Sequence, residues 1–422
     1  MNSELKVAYF GLSHLGIVSA ISLASKHVRC VGVDLDTRVV SKLKRQEWPI
    51  QEPGIEEAYN LAKGFITFSN DPTSLSECDI VYISQDVPTD DFGKSDLSEV
   101  ETLINLAAQN MSKKARIIIL CQVPPGFTRQ MKKYHSNISY QVETLVFGQA
   151  FSRAVSPERI IVGVDSPNIP LDANYAYILA RFSCPILLMD YESAEFTKIS
   201  INAFLAASIT TTNSLNEIAK SIGAKWENVK HALQLDRRIG PYAYLKPGLG
   251  ISGGNIERDL QTLDELGPIT PGEISLFRTY LSNSQRQKYW IIEAITNHII
   301  GSNPKARIGI LGVAYKENTH STKNAMALVV LSKFAANIVG TYDPLAVLPQ
   351  EFSTVKVFDS AQDCIMASDA IVVMTPWDEF SRLDFDCIPR EKLESFAVID
   401  PYGIINQINV PKQLKVRGLT QI

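Results

Sequence analysis

One order of residues occurs twice in this chain, and it limits the fold more than any other feature. Val7-Ala8-Tyr9-Phe10 is a short apolar run that enters Gly11-Leu12-Ser13-His14-Leu15-Gly16. An apolar helical stretch, Ile17 to Leu23, follows, and then Val31-Gly32-Val33 ends in Asp34. Strand, glycine turn, helix, strand and terminal acid is the order of a βαβ unit built to meet a dinucleotide. Gly11 permits the tight turn, and Gly16 permits close packing of helix on sheet. With Ser13, His14 and Leu15 between them, the helix start presents unpaired N–H groups to a pyrophosphate. Asp34 would accept from ribose hydroxyls and repel a 2′-phosphate, which favours NAD over NADP. Ser13 stands where the fingerprint has its second glycine. An ordinary tight turn in a sheet protein that binds nothing is the alternative.

The plan returns after Asn303-Pro304-Lys305: Arg307-Ile308-Gly309-Ile310-Leu311-Gly312 enters a turn, and Val339-Gly340-Thr341-Tyr342 ends in Asp343. Val355-Lys356-Val357-Phe358-Asp359 resembles Ile66-Thr67-Phe68-Ser69-Asn70, and Ser368 to Met374 resembles Glu77 to Ile83. The continuous apolar runs at Phe65–Phe68, Ile80–Ile83 and Arg116–Leu120 are those of parallel strands buried on both faces. From about Ser193 strand signals stop; a helical texture runs to Gly223 and, beyond Thr270-Pro271-Gly272, from Phe277 to Ile300. The expected fold is α/β, two doubly wound Rossmann-like domains joined by a central helical dimerisation region. The expected division is 1–192, 193–302 and 303–422.

At 422 residues the chain exceeds one ordinary core. Its formal charge of −4 argues against nucleic-acid binding through bulk positive charge. Apolar runs long enough for a spanning helix are absent, and the polar Met1 to Leu5 does not read as a signal peptide. Cys30, Cys78, Cys121, Cys184, Cys364 and Cys387 are scattered without paired spacing, so a disulfide framework or metal site is not expected and a reducing cytoplasm fits.

Further landmarks run along the chain in order. They are Pro49-Ile50-Gln51-Glu52-Pro53-Gly54, Pro88-Thr89-Asp90 with Asp96-Leu97, Val123-Pro124-Pro125-Gly126, and Ala194-Glu195-Phe196-Thr197-Lys198 with Asn202. Asp236-Arg237-Arg238-Ile239-Gly240, Lys246-Pro247-Gly248-Leu249-Gly250 with Arg258-Asp259, Gly312-Val313-Ala314-Tyr315-Lys316 and Trp377-Asp378-Glu379-Phe380 complete the set. With them the sequence resembles the UDP-glucose/GDP-mannose dehydrogenase family over nearly its whole length. The resemblance implies NAD-dependent oxidation of the C6 hydroxyl of a nucleotide sugar, most simply a UDP-sugar, with a homodimer formed by the middle helices. In that family a cysteine captures the intermediate aldehyde, and a second NAD oxidises the adduct to a thioester that water cleaves.

Alcohol oxidation needs a proton acceptor and a stabiliser of alkoxide charge. Lys198 and Asn202, four residues apart, share a helix face. Asp259 would hold an activating water or orient Lys198; alternatively it caps a helix beginning near Leu260-Gln261. The resemblance places Pro88, Thr89, Gln122 and Lys323 on the cofactor side. It places Glu143, Arg238, Lys246, Gly250 and Lys316 on the substrate side, with Arg238 reaching a neighbouring subunit.

The departures fall on the second oxidation. Aligned without gaps, Gly248 to Asp259 sets Asn255 at the family's cysteine, and an amide has no thiolate form. Phe147 stands at the glutamate of thioester turnover, and Gln122 at a water-binding threonine. Lys323 replaces an arginine and His320 an acid. Cys121, near the expected site, reads as a small buried residue rather than a substitute nucleophile. Three functions are therefore weighed: altered chemistry without a thioester, uronate formation through a hydrate, and a non-catalytic NAD- or nucleotide-sugar-binding subunit.

Overall fold

A computed structural model describes residues 5–50, 52–90, 94–267, 275–405 and 410–419. Gln51, the Thr270-Pro271-Gly272 break and Met1 to Glu4 lie outside them. The chain forms two compact units, Met1–Ile201 and Asn202–Ile422.

The amino-terminal unit is organised on an eight-stranded sheet. Its strands are β1 (Lys6–Phe10), β2 (Arg29–Val33), β3 (Ile66–Ser69), β4 (Ile80–Ile83), β5 (Arg116–Ile119), β6 (Ile138–Gln141), β7 (Ile160–Val164) and β8 (Ile186–Asp190). They lie in the order β3-β2-β1-β4-β5-β6-β7-β8. Every pairing is parallel except β6 with β7. The strand order reverses beside β1, the switch point at which open α/β sheets bind ligands. The β1, β4 and β5 runs are buried on both faces, which is why they read as unbroken apolar stretches.

The Asn202–Ile422 unit carries its own parallel sheet: β9 (Ile308–Leu311), β10 (Ile338–Tyr342), β11 (Ala370–Val373), β12 (Ala397–Ile399) and β13 (Lys415–Arg417), in the order β10-β9-β11-β12-β13. The repeat extends to single contacts. A Cβ on Gly32 would sit 2.8 Å from the Phe68 ring, and one on Gly340 would sit 2.5 Å from the Phe358 ring. Asp79 and Asp369 likewise each accept from a backbone N–H at the start of the first strand, from Lys6 and Arg307 respectively.

The copy departs from the first plan in two places. The counterpart of β3 shrinks to one bridge between Thr341 and Val357, although Thr341 still exchanges backbone bonds with Lys356 and Phe358. Anchoring by Phe358 survives while the outward Val357 stays exposed, so little apolar area favours a longer edge strand. In addition, Gly312 does not lead straight into a helix; the next one is Met326–Lys333.

In chain order, the helices Tyr191–Ser221, Trp226–Leu235, Asn255–Leu266 and Leu276–Ile295 come after β8 and before β9, the last continued by the π-helical turn Thr296–Ile300. Gly223 stops the first of these with φ +75°.

Candidate active site

In the amino-terminal unit the turn after β1 has the geometry its sequence demands. Gly11 takes φ +97°, and a Cβ on Gly16 would lie 2.0 Å from the Gly11 carbonyl oxygen. Only a bare α-carbon lets the His14–Ala24 helix start so close to the sheet. Ser13 precedes that helix with φ −70°, so it needs no glycine conformation. Its Oγ is tied back, donating to the Ser84 carbonyl at 3.0 Å and accepting from the Asp86 N–H at 3.0 Å. Asp34 accepts from the N–H groups of Leu12 (2.7 Å) and Asp36 (2.8 Å), one on each oxygen. A carboxylate offers about four lone-pair sites, so Asp34 retains capacity for a diol.

The copied turn contrasts with it. Asp343 accepts from the N–H groups of Val313, Ala314, Leu345 and Ala346 and from the Trp377 indole N–H. Its lone pairs are committed to its own chain. The first turn fits a dinucleotide, and the second is closed by its own acid.

Two carboxylates that sequence reasoning left without a role converge on the first turn. Glu52, 6% exposed, accepts from the Gly148 N–H (2.8 Å) and the Ala150 N–H (3.0 Å). It also pairs with His14 Nε2 at 2.8 Å. The His14 ring packs on Phe147, with centroids 4.4 Å apart. Asp86 keeps solvent contact, yet the surrounding chain desolvates its carboxyl and raises its pKa. The His14 charge, the Ser13 hydroxyl and the N–H groups of His14 and Leu15 pull the other way. A negative group thus faces the helix start that a pyrophosphate would need.

Glu195 is a third such residue. Fully buried, it accepts from the N–H groups of Gly126 (2.5 Å) and Thr128 (2.7 Å), and fastens the Val123–Gly126 loop one turn ahead of Lys198. Desolvation raises its pKa against those bonds. Lys198 is 8% exposed and forms no ion pair or hydrogen bond among the described residues.

Asn202, one turn further along Tyr191–Ser221, donates from Nδ2 to Asp259 Oδ2 at 2.5 Å. Asp259 is 1% exposed and takes Arg258 Nε on its other oxygen at 3.3 Å. It lies inside the Asn255–Leu266 helix, which begins four residues before it, so the reading of Asp259 as a helix cap is corrected. The Gly253-Gly254 turn, with Gly253 at φ +82°, lets the helix start early.

The first residue of that helix is Asn255, exposed. The preceding loop is pinned from two sides: Gly248 N–H donates to Asn213 Oδ1 (2.9 Å), and Ile251 N–H donates to Ser284 Oγ (2.8 Å). Gly250, at φ +86°, leaves room for the Ser284 backbone. Tyr315 and Lys323 lie against Gly253 and Gly254, and Asn324 Nδ2 donates to the Gly253 carbonyl (2.8 Å) and to Glu257 (2.9 Å). Lys323 therefore stands beside the residue that precedes Asn255.

The remaining expected residues are more dispersed. Lys316 Nζ sits over the Tyr315 ring at 5.8 Å. Lys246 is exposed, and Arg238 is exposed and held by Asp236 of its own turn at 2.7 Å. Glu143 accepts from the Leu145 N–H. Pro88 and Thr89 follow β4 in a loop where Thr89 bridges Ser95, and Gln122 is half-buried just after β5. The Cys121 thiol is fully buried, donates to the Ile83 carbonyl (3.2 Å), and has its pKa pushed up by burial. That makes it a poor nucleophile.

Three models of one family match in sequence: its NAD binding domain over residues 5–179, its central domain over 192–280 and its UDP binding domain over 309–407. The chain belongs to the UDP-glucose/GDP-mannose dehydrogenase family. It is an NAD-dependent nucleotide-sugar dehydrogenase-like oxidoreductase. Among its relatives is UDP-glucose 6-dehydrogenase YwqF of Bacillus subtilis (strain 168), 26% identical across 90% of this chain and 89% of that one. The UDP-glucose 6-dehydrogenase of Rhizobium meliloti (strain 1021) is 26% identical across 97% of each. The fold matches a UDP-D-ManNAc dehydrogenase from Pyrococcus horikoshii at TM-score 0.83 and 24% identity, covering 99% of both chains. No helix among the described residues is long and apolar enough to cross a membrane.

Proposed function

We propose that this member of the family oxidises C6 of a nucleotide sugar, most simply a UDP-sugar, without passing through a thioester. The observation that carries the reading is Asn255 at the start of the Asn255–Leu266 helix. A thiol at that place would have a lowered pKa and would attack an aldehyde, whereas an amide only hydrogen-bonds to it. NAD, when bound, accepts the hydride from C6. Lys198 stabilises the developing alkoxide, Asn202 orients the same oxygen, and Asp259 receives the hydroxyl proton through a water. The Asn202–Asp259 bond supports this assignment because it fixes both side chains before substrate arrives. The pyrophosphate of NAD falls to the Gly11–Gly16 turn with Asp34 on the ribose. Pro88, Thr89, Gln122 and Lys323 complete the cofactor side, and Glu143, Arg238, Lys246, Gly250 and Lys316 the substrate side.

We further assign the protein to the cytoplasm, in keeping with six free cysteines. A homodimer is proposed through the central helices, where Phe204 is 80% exposed with Leu215, Ile218 and Ile222. The division 1–192, 193–302 and 303–422 is retained as the functional one.

Incubation with UDP-glucose and related nucleotide sugars plus NAD tests the chemistry. About one NADH per sugar with an aldehyde-level product, or no net NADH with an isomerised one, is expected. A uronic acid with two NADH per sugar overturns the claim for Asn255. Lys198→Ala should lower kcat by about 10²–10³-fold with little change in NAD affinity, measured by steady-state kinetics and calorimetry.

A further inference from the structure

Within the Asn202–Ile422 unit a cleft of about 280 Å³ opens where the Thr296–Ile300 turn meets the end of β13. Its walls include Lys220, Trp290, Glu293, Asn297, His298 and Arg417. Three of these are basic, and none forms an ion pair among the described residues. Lys220 Nζ only donates to the Gly418 carbonyl at 3.3 Å, and Arg417 and His298 are exposed. Burial lowers the Lys220 pKa; burial, then the Arg417 charge, lowers that of His298. Lys220 and Arg417 bring two cations to the cleft and the Arg417 charge disfavours protonation of His298, so an anion set among the three would offset that cost. The π-helical turn adds to the case, because such turns are frequent at functional sites and this one swings Asn297 and His298 into the wall.

The size of the cleft narrows the ligand class. At this volume it lies near the lower edge of small-molecule sites, too small for a dinucleotide and ample for a sugar phosphate. Beside the cations stand Glu293, an acceptor for hydroxyls, and Asn297, which both accepts and donates. Trp290 offers an apolar face of the kind that sugar and base rings pack on. None of these residues belongs to the catalytic or cofactor assignments above.

We propose that this cleft is a second ligand site, which takes a phosphomonoester of a sugar. The phosphate lies among Lys220, His298 and Arg417, and the hydroxyls meet Glu293 and Asn297. Glucose 6-phosphate and AMP represent the two sources of that chemistry, a free sugar phosphate and a nucleotide. Each is titrated calorimetrically into the full chain with NAD and UDP saturating, beside inorganic phosphate as the ring-free control. At least one ester is expected to bind, and to bind several-fold more tightly than inorganic phosphate. Arg417→Glu should weaken that ester by tenfold or more and His298→Gln by about threefold, with unchanged melting temperatures. Which ester binds identifies the source. No heat from either ester, an equal response in wild type and both variants, or inorganic phosphate matching the esters would overturn the proposal.

Discussion

Asp86 is the residue whose charge most opposes the chemistry around it. It faces the helix start assigned to the pyrophosphate, so two negative groups would compete for the same N–H donors. Replacing it with asparagine should tighten NAD binding about three- to tenfold at pH 8. The pH dependence follows from the direction of its shift. With a raised pKa, Asp86 gains its proton earlier than an ordinary aspartate as pH falls, and wild-type affinity should rise along that descent. Asp86→Asn should therefore lose that rise. Calorimetric titration of NAD between pH 5 and 8 on wild type and variant reads the difference. An unchanged profile in the variant would remove Asp86 from the cofactor site. None of this shows in the sequence, because Asp86 and Glu52 act on backbone N–H groups that the fold alone brings near.

At the scale of elements, the first βαβ unit was the most legible part of the chain. The steric demands of Gly11 and Gly16 are local, and Asp34 closes the turn from a position the motif specifies. The Asn255–Leu266 helix was less so, because Asp259 could be read as a cap near Leu260-Gln261 as well as a functional acid. The partner that makes Asp259 interpretable, Asn202, is 57 residues away. The copied strands have their own lock in Asp369. Hydrogen bonds from the Arg307 side chain hold its pKa down to about 2, aided by the Arg307 N–H and the nearby Lys392. Since the folded-state value is depressed, this stabilisation is present above the ordinary carboxylate range and is lost as pH falls toward 2. Asp369→Asn should therefore cost about 1–2 kcal/mol near neutrality, after allowance for partial exposure, and the gap from wild type should close between about pH 4 and 2. Denaturant melts at several pH values read this directly.

For the whole molecule, the two sheets and the helical middle were legible because two periodicities alternate cleanly along the chain. Assembly was not, since an exposed apolar stripe is indistinguishable from core in a helical pattern. Phe204, Leu215, Ile218 and Ile222 recur at helical spacing and remain exposed, as an unpartnered face does. If that face pairs two copies, Phe204→Glu with Ile218→Lys should halve the mass measured by light scattering without unfolding either sheet. A mass unchanged from wild type would move the interface elsewhere.

The carboxylate that closes the carboxy-terminal turn, Asp343, draws a last distinction between the halves. With its acceptors satisfied internally, that turn is self-sufficient, and its shape is indifferent to what the sheet carries. The amino-terminal turn, its acid half uncommitted, stays answerable to the dinucleotide. Of two turns built to one plan, the amino-terminal one keeps acceptor capacity to offer a ligand.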